Sequence, residues 1–93
     1  MDHREKVDML KRLFWDHKVD PEKAILILEG KVERIDKINR NELFIKLLNY
    51  YPWHKVRKLV SSDLYKELLS EEVMKGLFPP LLRDRYRYVR ELL

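Results

Sequence analysis

The chain predicts an all-α fold, a single all-helical domain over residues 1–93 built as a compact irregular bundle of about five to seven short helices. Three observations predict it. Apolar residues recur at helical spacing from one end to the other, with no stretch of strand alternation. Helix-start signals stand at Asp20-Pro21-Glu22, at Asn39 with Glu42, and at Ser70-Glu71-Glu72. Between them, Gly30, Pro52 and Pro79-Pro80 interrupt the chain at short intervals.

From Asp2 to Phe14, the side chains of Val7, Met9, Leu10, Leu13 and Phe14 share a face about 160° wide. Asp8, Lys11 and Arg12 take the other side. Trp15 would fall on the polar side of a longer helix, so either the helix stops near it or its indole covers a neighbouring element. The next helix opens at Asp20, where a carboxylate can cap free amides and Pro21 loses nothing by lacking an N–H, and it ends at Gly30. Its apolar centre, AILIL, reads as a short buried helix. Residues 31–38 (KVERIDKI) space Val32, Ile35 and Ile38 by threes, which predicts a further turn or two of helix.

Asn39 and Glu42 form a capping box with Asn in place of Ser or Thr, and ELFIKLLNYY behind them is apolar on nearly every side except Lys46 and Asn49. This is the expected central helix. Pro52 ends it and opens the next, where Trp53, Val56, Leu59 and Val60 share a face. A cap at Ser61 or Ser62 then starts a segment with Leu64, Tyr65, Leu68 and Leu69, and Ser70 starts another with Val73, Met74 and Leu77, Gly76 lying near its end. Pro79-Pro80 precede the last helix.

Composition bounds the function. With 45% hydrophobic and 39% charged residues, the chain has the apolar content of a folded core. No apolar run approaches the roughly 18 residues of a membrane span, and the charged start MDHREK leads into no signal peptide, so a cytoplasmic protein is expected. The absence of cysteine removes disulfides and thiolate metal sites. Gln and Thr are absent as well, and the abundance of Lys, Arg and Glu points to a thermophilic source. The formal charge of +4 arises wholly after residue 45, where ten basic residues face six acids, against ten and ten before it. That asymmetry permits an anionic partner without requiring one.

The last helix contains RDRYRY, which looks in linear order like a nucleic-acid grip. On a helical wheel it separates. Arg83, Arg87 and Arg90 fall within about 60° of one another, opposite an arc holding Leu81, Leu82, Tyr86, Tyr88, Val89, Leu92 and Leu93. The tyrosines therefore belong with the apolar residues, which removes base stacking as their obvious task. Arg85 points into that arc, near Leu81, Tyr88 and Leu92. Two readings stand: core packing with Arg85 snorkelling or paired to an acid, or an uncovered arc in which Arg85, Tyr88 and Leu92 meet another protein chain. The basic stripe also has two readings. It is either a solvated face on which Arg87 pairs with Asp84 and Glu91, or, together with Lys55 and Lys58, a phosphate-binding surface for nucleic acid.

No catalytic set is expected. Ser61, Ser62 and Ser70 all stand at cap positions, the two glycines are too isolated for a phosphate loop, and His3, His17 and His54 belong to no paired-histidine motif. Asp16, His17 and Asp20 contain metal-ligand types, but they flank a turn into a capped helix, so no metal and no cofactor is expected. The chemistry points to a non-catalytic interaction domain, its partner a protein or a copy of itself, with nucleic acid as the alternative and no small-molecule substrate or membrane.

Two stretches carry a resemblance: LFWD at 13–16 with VDPEK at 19–23, and FIKLLNYYPWHKVRKL at 44–59. Phe14, Trp15 and Asp16, then Phe44, Ile45, Leu47, Leu48, Tyr50 and Trp53, resemble short prokaryotic all-helical domains of unknown function found as partners of minimal nucleotidyltransferases in toxin–antitoxin-like pairs. The similarity spans roughly a third of the chain, and most of its residues are of packing type. Tyr51-Pro52 stands where the pattern has Gly, and residues 24–40 are longer than its usual spacing. The resemblance implies an all-helical, antitoxin-like partner protein and brings no catalytic residue.

Overall fold

A computed structural model describes residues 1–15, 18–35 and 38–93. Seven α-helices lie among them: α1 (His3–Leu13), α2 (Pro21–Leu28), α3 (Arg40–Tyr50), α4 (Trp53–Leu59), α5 (Tyr65–Leu68), α6 (Glu71–Met74) and α7 (Pro80–Leu92). A two-residue strand pair, β1 (Arg34–Ile35) and β2 (Ile38–Asn39), precedes α3, and one 3₁₀ turn (Ser62–Leu64) leads into α5. The molecule measures 31 × 24 × 20 Å. No described helix is long and apolar enough to cross a membrane.

The caps form largely where the start signals stand. The Asp2 carboxylate accepts from the Glu5 amide at 2.8 Å, Asp20 from Glu22 at 2.9 Å, and Asn39 from Glu42 at 2.8 Å. Ser70 accepts a longer 3.4 Å bond from Val73. Pro21 and Pro80 each occupy a first turn. The α2 helix ends in a Schellman motif: Gly30, at φ +79°, donates to Ile27 and Lys31 donates to Leu26. The serine cap expected before α5 is absent. That turn is closed by the main chain, Leu64 donating to Ser61 at 2.9 Å, while the Ser61 amide is drawn to the Leu28 carbonyl.

The described residues of this segment, 31–35 and 38, do not form the expected helical turn. Arg34 pairs with Asn39 and Ile35 with Ile38 in an antiparallel ladder, which the Arg40 amide extends by donating to Glu33 at 2.8 Å. The spacing of Val32, Ile35 and Ile38 suits a helix, yet Ile35 and Ile38 reach the core from the strand pair and Val32 from the irregular backbone before it. The preference of β-branched residues for that backbone, together with a guanidinium supplied by Arg40, wins over the spacing. One arm of that side chain, which is only 12% exposed, donates to the Val32 carbonyl, and the other pairs with Glu67 at 2.8 Å.

The core is built around α3, whose Leu43, Phe44, Leu47 and Leu48 are fully enclosed. Leu10, Leu13 and Phe14 cover it from α1, Ala24, Ile25, Ile27 and Leu28 from α2, and Val56, Leu59 and Val60 from the α4 segment. Leu68, Leu69, Val73, Met74 and Leu77 complete it. Asn49 of the central helix binds the Gly76 carbonyl through its amide N–H and the Phe78 N–H through its carbonyl. Gly76 is required for space, since a Cβ there would lie 2.6 Å from Cδ1 of Ile45 and 2.9 Å from both its Cγ atoms. The α1 helix stops before Trp15, which is 80% exposed and covers no described neighbour.

Candidate docking surface on the last helix

The α7 helix sits on the body through one side chain above all. Tyr86 is 2% exposed and packs its ring edge-on against Trp53, with centroids 6.0 Å apart, while Trp53 meets Tyr65 on its other side at 5.6 Å. Leu82 and Val89 support it from the same face. Burial holds the Tyr86 phenol neutral, with its pKa above the ordinary 10.0.

The arginines form a second attachment. Arg83 donates from Nε to the Leu77 carbonyl at 3.1 Å and from Nη2 to Lys75 at 3.3 Å. Arg90 donates to the Leu69 carbonyl at 3.2 Å and pairs with Glu71 at 2.9 Å; Arg87 meets the same carboxylate at 3.3 Å and Asp84 at 3.7 Å. Hydrogen bonds from Arg90 first, and from Arg87, pull the Glu71 carboxyl below its ordinary range. Leu69 and Lys75 are the C-terminal caps of α5 and α6, four-residue helices far below the length that is stable alone. The stripe thus satisfies carbonyls that such short helices leave open. Arg87 and Arg90 keep 45% and 40% of their side chains exposed while they make these contacts, and Arg87 turns to Asp84, as the solvated-face reading expects, and to Glu71 in place of Glu91.

The five residues of the alternative phosphate-binding set make different contacts. Lys55 and Lys58 line an open depression between α4 and α1, shared with Arg12 and His54 but also with Glu5 and Asp8. Arg83, Arg87 and Arg90 are bound to the α5–α6 segment. Of the three residues of metal-ligand type, Asp16 and His17 lie outside the described residues, and the Asp20 carboxylate accepts the Glu22 amide. No group of three or more His, Asp or Glu is arranged to hold a metal among the described residues.

What α7 leaves uncovered is the arc around Arg85. Leu81, Tyr88 and Leu92 are 77%, 63% and 69% exposed, Arg85 is exposed between them, and among the described residues no acid lies within ion-pair distance of it. The broad apolar arc read from the wheel therefore divides in two: Tyr86, Leu82 and Val89 turn inward, while Leu81, Arg85, Tyr88 and Leu92 turn outward. Phe78, 76% exposed just before the helix, adds to the same end of the molecule. Sequence reasoning passed over Phe78 because it precedes the proline pair and belongs to no periodic set. Its neighbour Leu81 was visible as the fourth member of the row.

The residues that carried the resemblance divide between core and surface. Phe14, Phe44, Leu47 and Leu48 are buried, Ile45 and Trp53 are half-buried, and Trp15 and Tyr50 are exposed. Comparison with protein-family models, curated proteins and solved structures finds no match to the chain.

Proposed function

We propose that the chain is a non-catalytic protein-docking domain whose contact surface is the outer row of α7: Leu81, Arg85, Tyr88 and Leu92. The observation that carries this reading is the row itself. Single exposed apolar residues are ordinary on any surface, but three large ones at helical spacing around an arginine with no acid partner among the described residues make a patch of the composition found where proteins bury each other. The other side of the same helix is tied down by Tyr86 and three arginines, so the row is presented on a supported element. The resemblance to partners of minimal nucleotidyltransferases adds one candidate for the other protein, in an antitoxin-like pair. Nucleic acid is the less favoured partner, because its proposed arginines already serve Glu71 and four carbonyl or carboxylate neighbours.

The test places a photoreactive phenylalanine analogue at Tyr88 in the source cells. One or a few discrete cross-linked products are expected, and Leu81→Glu should abolish them. Irradiation that yields no product, or products indifferent to Leu81→Glu, removes the reading.

A further inference from the structure

We infer that the occupant of the α7 row is the α7 row of a second copy, laid antiparallel about a two-fold axis; this rests on the docking reading above and goes further by naming the partner. The spacing supports it. Leu81, Arg85, Tyr88 and Leu92 follow one another by four, three and four residues, the a/d repeat of helices that pack side by side. That series reads the same in both directions. Reversed upon itself, it sets Leu81 of one copy against Leu92 of the other, and Arg85 against Tyr88, twice each. A two-fold interface demands this self-complementarity, each contact recurring by symmetry.

The chemistry agrees with the register. Arg85 meets no acid among the described residues of its own copy, and in the antiparallel pair its guanidinium lies over the Tyr88 ring of the other. Asp84 and Glu91 flank the row on one side, one turn from Tyr88, and so supply carboxylates beside the incoming Arg85. On the opposite flank Leu82 and Val89 are committed to their own core, which leaves a seam one helix wide. A 13-residue helix gives less than two heptads, so the pair belongs at the small end of specific interfaces and is expected to associate in the micromolar range.

The chain has no cysteine, so single cysteines report the register without background. In the antiparallel pair, Leu81→Cys mixed with Leu92→Cys should oxidise to a disulfide-linked dimer. Leu81→Cys alone should not, because its two copies then lie about 16 Å apart along the axis. Sedimentation equilibrium of the native chain should show a monomer–dimer equilibrium, weakened about thirtyfold or more by Tyr88→Glu, with far-UV circular dichroism showing that the variant's helices persist. A native chain that stays monomeric at several hundred micromolar (about a hundredfold above a micromolar constant) overturns the inference. Preferential linkage of Leu81→Cys to itself overturns it too, since that is a parallel arrangement. A monomer that still gives Leu81-dependent cross-links from Tyr88 in cells sinks the second copy and leaves docking standing, whereas a monomer without them sinks both.

Discussion

Gly30 and Gly76 look alike in the sequence, each a helix stop, and they are glycine for different reasons. Gly30 takes a left-handed backbone at φ +79° to close α2, a need that start and stop signals forecast. Gly76 takes no such backbone and yields its side-chain volume to Ile45 of α3. Gly76→Ala is therefore expected to overpack the contact between α3 and the α6 segment, at about 1–3 kcal/mol by chemical denaturation. A smaller partner should relieve most of that loss, so Gly76→Ala with Ile45→Ala should fall short of the sum of the two single changes. Additive losses would show that the clash is not what Gly76 avoids. Arg40 carries a related lesson. It reads as an ordinary surface cation at the start of a helix, yet its guanidinium joins the Val32 carbonyl, two residues before β1, to Glu67 of α5, and its Nε is buried without a partner among the described residues. Nothing local in the sequence marks that role, because both neighbours are distant along the chain.

At the scale of elements, the clearest correction is the segment 31–38, where helical spacing coincided with β-branched residues and the ladder to Asn39 prevailed. The α7 helix shows the opposite outcome. Its extent was legible from the proline pair and from the periodic faces, and its arginine stripe was placed correctly on the wheel; the stripe's partners were not, because they are main-chain carbonyls at the ends of α5 and α6. A pH dependence follows for this attachment. The Glu71 carboxyl titrates below its ordinary 4.5 in the folded chain, so its contribution is complete above that value and is lost as acid carries the pH down through the lowered one. Both groups that face it, Arg87 and Arg90, stay charged throughout. Amide exchange should therefore show α7 protected at neutral pH and progressively opened below the ordinary carboxylate range, and Glu71→Gln should remove most of that acid-dependent part. A protection profile indifferent to Glu71→Gln would assign the acid response elsewhere.

For the whole molecule, the net charge of +4 remains, but the structure distributes it. Three arginines of the basic half make contacts within the fold, and Lys55 and Lys58 stand in a depression that also contains Glu5 and Asp8. Binding to short DNA or RNA duplexes is accordingly expected to be weak, with a log–log salt slope no steeper than about −2, where a dedicated surface with six phosphate contacts gives about −5. A steep slope that Arg83→Ala or Arg90→Ala flattens would restore the nucleic-acid reading. By itself the sequence determined the fold class, the order of the helices outside 31–38 and most of the core residues, since spacing, caps and proline act within one or two turns of chain. Only the tertiary structure decided which half of the α7 arc would be covered. Burial depends on what other elements bring to a face: Trp53 and Tyr65 reach Tyr86, the carbonyls of α5 and α6 reach the arginines, and nothing described reaches Leu81, Arg85, Tyr88 and Leu92.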